Sequence, residues 1–121
     1  MAIQWFPGHM HKAGLEMKKI LPQMDLIIEV LDARLPYSSS NPMLAAIRGD
    51  KPCLKVLNKA DLADPQLTET WQQYLEQEQG IKTLVLSANE TSRGKELIAM
   101  CQKMVPHKAS SVKKIQALIM G

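Results

Sequence analysis

The sequence predicts an α/β fold on an open, mainly parallel sheet, and three observations lead there. Short, near-continuous apolar runs alternate with longer segments whose apolar residues recur at helical spacing. The runs are rich in Leu, Ile and Val, the pattern of strands buried on both faces. Strand and helix alternate at the lengths of βαβ units with right-handed crossovers. With 121 residues, 45% hydrophobic and 22% charged, the chain fills one compact domain and leaves little room for two.

Each element follows from local residue chemistry. Met10, Ala13, Gly14, Met17, Ile20 and Leu21 recur as one face of a first helix. Residues 25–32 form the first predicted strand, bounded by Asp25 and Asp32. A short helix opened by Asn41-Pro42 and closed near Gly49 turns Leu44 and Ile47 inward. The second strand is 52–58. In the helix after it, Leu67, Trp71, Tyr74 and Leu75 make an apolar stripe. Asp64 caps that helix, Pro65 takes its first position, and Gly80 supplies the left-handed residue that stops it. Residues 82–87 are the third strand. Leu97, Ile98, Cys101, Met104 and Val105 mark a last helix ahead of Pro106, residues 106–111 read as a surface connection, and 115–120 is the fourth strand.

Composition narrows the function. A net charge of +3, from 15 basic and 12 acidic residues, permits a diffuse attraction to nucleic acid but not the strength of a dedicated basic binder. Aromatics are 4% of the chain, too few for a base-stacking platform, so the core rests on Leu, Ile, Val and Met. Cys53 and Cys101 lie in separate apolar runs without a CxxC, which reads as two buried reduced thiols. The N-terminus has neither the apolar core of a signal peptide nor the Arg/Ser-rich character of a transit sequence, so the cytoplasm is the default compartment.

In a parallel sheet, ligands collect outside the carboxyl ends of the strands. After the second strand stands Asn58-Lys59-Ala60-Asp61, matching the Asn-Lys-x-Asp element that reads guanine in P-loop GTPases. An Asp61 carboxylate can accept two hydrogen bonds from guanine's adjacent ring and amino N–H donors, a contact that adenine cannot reproduce. Asn58 can tie the loop to its neighbours and donate to the base, and the Lys59 stem can lie across the ring. The plainer alternative is a turn that caps the next helix. After the third strand, Ser87-Ala88-Asn89 matches the Ser-Ala-x element whose main-chain N–H meets the guanine carbonyl. Two such loops in this order, separated by one helix, favour guanine over the turn.

No Gly-x-x-x-x-Gly-Lys-Ser/Thr phosphate loop occurs in the sequence, although in ordinary GTPases it precedes the guanine-reading loops. That order, with Trp5-Phe6-Pro7-Gly8-His9-Met10 at the start and Asp32-Ala33-Arg34-Leu35-Pro36 after the first strand, resembles the YlqF/RbgA family of circularly permuted, large-subunit ribosome-assembly GTPases. The resemblance covers essentially the whole chain. It implies that residues 1–121 are the N-terminal part of a permuted GTPase domain, with the phosphate loop, switches and a C-terminal RNA-contacting domain following. It further implies GTP and Mg2+ as ligands of the full-length protein, and the large ribosomal subunit with its rRNA as partner, with no membrane and no DNA partner. Residues 1–121 alone are expected to bind GTP weakly or not at all, and to hold no metal.

On residue type alone, His9 reads as a structural histidine. The resemblance implies that it helps position the attacking water. His11 and His107 have no such support. Asp32 and Arg34 read first as an ion pair shaping their loop, and second as contacts to ligand or ribosome. Lys12, Lys18 and Lys19 read as a solvated face that can also meet phosphate backbone. Two rival readings from other classes are a flavodoxin-like interaction module without nucleotide and a plain RNA-binding domain.

Overall fold

A computed structural model of the chain describes residues 2–6, 18–39, 42–87, 93–106 and 115–120. Five strands form one sheet, β1 (Ala2–Phe6), β2 (Leu26–Asp32), β3 (Cys53–Asn58), β4 (Ile81–Val85) and β5 (Gln116–Met120), in the order β1-β5-β2-β3-β4. Every neighbouring pair is parallel, as the apolar runs require. Four strands fall where the sequence places them, within two residues at each end. The fifth, β1, goes unannounced because its Ala-Ile-Gln-Trp-Phe run is short and leads into a Pro-Gly motif. It pairs along β5 from Ala2 opposite Gln116 to Phe6 opposite Met120.

The helices are α1 (Pro36–Ser39), α2 (Pro42–Arg48), α3 (Pro65–Leu75) and α4 (Arg93–Met104). Residues 18–20 are helical and run into a 3-10 turn at Leu21–Gln23, while the rest of the first predicted helix lies outside the described residues. Leu44 of α2 is buried, and Gly49 ends the helix with a φ of +61°. At the start of α3, the Asp64 carboxylate accepts the Gln66 N–H at 2.9 Å and the Leu67 N–H at 3.4 Å. Gly80 has the expected left-handed φ, +83°, but it stands directly ahead of β4. The helix has already ended at Leu75, with Glu76 as its C-cap.

Alternation along the strands divides the core between the two faces of the sheet. Ile27, Cys53, Ile81, Leu118 and Met120 face the side covered by Leu21, Met24 and Leu44. Leu26, Ile28, Leu54, Val56, Ala117 and Ile119 face the other side, where α4 lays Cys101, with Val105 just beyond it. Ile98 of α4, expected inside, is 41% exposed and lies off this face. Burial pushes the thiols of Cys53 and Cys101 up to about 11.

A polar row crosses the first face. Glu29, Lys55 and Thr83 are opposite one another on β2, β3 and β4. Lys55 Nζ donates to Glu29 Oε1 at 2.6 Å, and Glu29 is only 2% exposed. Thr83 donates through its main-chain N–H and its Oγ1 to Glu76 Oε1, at 2.9 and 2.8 Å, and accepts from Gln72 Nε2 at 3.0 Å. A buried polar sheet surface requires polar partners, and it selects the face that α3 turns inward. Thr68 is buried, Gln72 and Glu76 bind the sheet, and Leu75 packs at their side. Of the predicted apolar stripe only Leu75 packs against the core: Leu67 is 59% exposed, Tyr74 is 56% exposed and Trp71 is half-buried.

Candidate functional site

Because all five strands are parallel, their carboxyl ends share one edge. Asp32 and Asn58 end β2 and β3 side by side in register. Main-chain bonds then join the loops beyond them. Ala33 N–H donates to the Asn58 carbonyl at 2.8 Å, and Ala60 N–H to the Leu86 carbonyl at 3.0 Å. The second bond ties the loop after β3 to the loop after β4.

Between Asn58 and Ala60 the chain makes a sharp reversal. Lys59 has φ 60° and ψ 35°, the one non-glycine residue with positive φ among the described residues. That conformation costs a side-chain-bearing residue roughly 1–2 kcal/mol, and strain of this kind is characteristic of functional loops. A 3-10 turn, Ala60–Leu62, follows directly, closed by Leu62 N–H on the Lys59 carbonyl at 3.0 Å. The reversal packs Ala60 against Leu31 and Leu57 and leaves Lys59 and Asp61 exposed. Asn58 and Ser87 are half-buried at the two strand exits. Ala88, Asn89 and His9 lie outside the described residues.

The loop after β2 is held by its own charges. Arg34 donates through Nε to Asp32 Oδ1 at 3.0 Å and through Nη2 to Oδ2 at 2.7 Å, and its main-chain N–H reaches Oδ1 at 2.9 Å. This is the ion pair that the sequence suggests. The Arg34 guanidinium, then its main-chain N–H, holds the Asp32 carboxyl well below the usual carboxylate range, with Lys59 adding to the effect. Asp32 in turn raises Arg34, with a smaller contribution from Asp61. The loops after β2 and β3 are thus electrostatic neighbours.

The folded carboxyl is depressed, so the pair's contribution is complete above the unfolded value near 4 and is lost only as pH falls through the folded one. Arg34→Ala is expected to return the Asp32 midpoint toward the ordinary range in a carboxyl-carbon NMR titration. An unmoved midpoint would assign the shift to the main chain instead.

The sequence does not mark Leu86, whose part in joining the loops is a main-chain carbonyl that any residue supplies. A hollow of about 550 Å³ lined by Arg48, Gly49, Asp50, Glu78, Gln79 and Gly80 opens at the opposite edge, where β3 and β4 begin. Among the described residues, no group of three or more His, Cys, Asp or Glu side chains is placed to hold a metal ion. No helix among them is long and apolar enough to cross a membrane.

Along its whole length the chain is 43% identical to the ribosome biogenesis GTPase A of Bacillus cereus and 40% identical to that of Bacillus pumilus, spanning 43% and 45% of those proteins. It is also 53% identical to mouse mitochondrial ribosome-associated GTPase 1 over 66 residues, which are 54% of this chain and 20% of that protein. The chain thus spans less than half the length of the bacterial relatives it matches. No protein-family model matches it.

Proposed function

We propose, from its homology along its whole length to ribosome biogenesis GTPases of the YlqF/RbgA family, that the strand-end loops of this chain read the base of GTP. One observation carries the reading: the Ala60–Leu86 main-chain bond couples the Asn58-Lys59-Ala60-Asp61 loop to the start of Ser87-Ala88-Asn89, while Asp61 stays exposed. In this reading Asp61 accepts the ring and amino N–H groups of guanine. The Lys59 stem covers the ring, Asn58 steadies the loop and donates to the base, and a main-chain N–H of 87–89 meets the base carbonyl.

The complete protein, in this proposal, is a circularly permuted GTPase that acts in the cytoplasm on the large ribosomal subunit and its rRNA. Residues 1–121 are the N-terminal, guanine-reading part of its domain. The strand order supports the arrangement. β5 lies between β1 and β2, so a phosphate loop following β5 stands between the motif after β1, which contains His9, and the base-reading loops after β3 and β4. Mg2+ enters this scheme with the phosphates.

Competition of GTP and ATP against labelled GDP on the complete protein tests base reading, and GTP is expected to win by well over tenfold. Equal competition removes the proposal. Residues 1–121 alone are expected to bind either nucleotide weakly or not at all, since the phosphates supply much of the affinity. In the complete protein, His9→Ala is expected to slow ribosome-stimulated single-turnover hydrolysis by about a hundredfold, the lower end of what a proton-handling side chain contributes, with GTP affinity unchanged. Equal rates return His9 to a structural role.

A further inference from the structure

Lys59 stands in the left-handed conformation, φ 60° and ψ 35°, without being a glycine. The conformation of a residue is set by the two rigid peptide planes that flank it, and both planes beside Lys59 are held by hydrogen bonds. The plane before it carries the Asn58 carbonyl, which accepts the Ala33 N–H of the loop after β2 at 2.8 Å. The plane after it carries the Ala60 N–H, which donates to the Leu86 carbonyl beyond β4 at 3.0 Å, and the Lys59 carbonyl, which accepts the Leu62 N–H at 3.0 Å. The reversal is imposed by the loops on either side.

The bond from Ala33 comes out of a turn with local reasons to keep its shape. Leu35 N–H donates to the Asp32 carbonyl at 3.0 Å, and within that turn the Asp32 carboxylate accepts both the main-chain N–H and the guanidinium of Arg34. Ala33 is buried with Leu31 and Leu57, in the cluster against which Ala60 also packs. The Arg34 side chain is 45% exposed, and an ion pair so open to water contributes little to overall stability. Its effect is local, fixing the course of the chain on either side of the Ala33 N–H. The charges of the two loops also cross, Asp32 acting on Lys59 and Arg34 on Asp61.

We propose that Asp32 and Arg34 are positioning residues for base reading: their ion pair holds the turn whose Ala33 N–H keeps Lys59 left-handed, and the left-handed Lys59 presents Asp61. This role rests on the guanine reading proposed above, and it needs no contact between Arg34 and the nucleotide.

A double-mutant cycle on the complete protein separates positioning from contact. GTP and ATP compete against labelled GDP, and the ratio of their affinities reports base discrimination apart from phosphate binding. Arg34→Ala is expected to lower the preference for GTP about tenfold, the order of the cost that a left-handed conformation carries for a residue with a side chain. Lys59→Gly removes that cost, because glycine takes positive φ freely, so adding Arg34→Ala to it is expected to change the preference by less than about twofold. Arg34→Lys keeps the charge beside Asp61 but lacks the fork that meets both carboxylate oxygens, and is expected to behave like Arg34→Ala. Urea midpoints of both Arg34 variants should stay close to the parent's, as at any exposed pair. The proposal is overturned if Arg34→Ala keeps the full preference for GTP, or if Arg34→Lys keeps it, which would make charge alone sufficient. It is equally overturned if the loss is as large with Lys59→Gly as without, the sign of a direct contact or a general loosening. A parent that does not distinguish GTP from ATP removes base reading as well, so the two failures are told apart.

Discussion

Lys55→Met is expected to remove about 3–5 kcal/mol of folding stability, the cost of leaving one member of a buried ion pair without its partner. The Lys55 and Glu29 side chains are 14% and 3% exposed and meet at 2.6 Å, in register across the two most extensively paired strands of the sheet. Little water reaches either charge. Since domains of this size are held by only about 5–15 kcal/mol in total, the loss would leave the chain close to unfolding. Glu29→Gln should act in the same direction by stranding the ammonium.

The double substitution Glu29→Leu, Lys55→Met removes both charges and is expected to recover most of the loss, since a hydrophobic pair of similar volume is often neutral or stabilising. Urea unfolding followed by circular dichroism gives all three midpoints. Single variants within about 1 kcal/mol of the parent would mean that water screens the pair as it does at a surface.

The same pair explains where the sequence could be read and where it could not. Strand positions were legible because runs such as Leu26-Ile27-Ile28 and Leu84-Val85 have no other stable home than a sheet covered on both faces. The Asp64-Pro65 start of α3 was legible because capping is local chemistry. The direction of α3 was not. Its stripe of Leu67, Trp71, Tyr74 and Leu75 has helical period, but only Leu75 packs against the core, because burial goes to the side that matches the sheet beneath. That side was fixed by Glu29, Lys55 and Thr83 coming into register, three residues from three separate strands that each look like an interruption on their own.

The candidate site divides in the same way. Asn58-Lys59-Ala60-Asp61 was legible from residue type and from its place at a strand end. The Ala60–Leu86 bond that joins it to the next loop is made by main-chain atoms, which any residue supplies, and so leaves no trace in composition. The left-handed turn at Lys59 is hidden for a related reason, since a lysine does not advertise positive φ as glycine does.

Asp61→Asn is expected to move the complete protein's preference from guanine toward xanthine nucleotides. Guanine presents two donors to the Asp61 carboxylate, whereas xanthine replaces the amino group with a carbonyl oxygen that the carboxylate repels. An asparagine amide offers one acceptor and one donor, which matches xanthine's ring N–H and carbonyl and sets an N–H against guanine's amino group. A mispaired polar contact costs roughly 1–3 kcal/mol, and more when charge is involved, so the relative affinity should change by more than about tenfold. The substitution is expected to leave the loop intact. Asp61 is exposed, and the bonds shaping its turn, Ala60 N–H to Leu86 and Leu62 N–H to Lys59, are main-chain bonds. A loss of GTP binding with a gain of XTP binding is therefore a statement about base contact, whereas loss of both would mean that the loop had come apart. Competition of GTP and XTP for parent and variant decides it. Retention of full GTP preference by Asp61→Asn would reduce Asp61 to a turn residue and take the guanine reading with it.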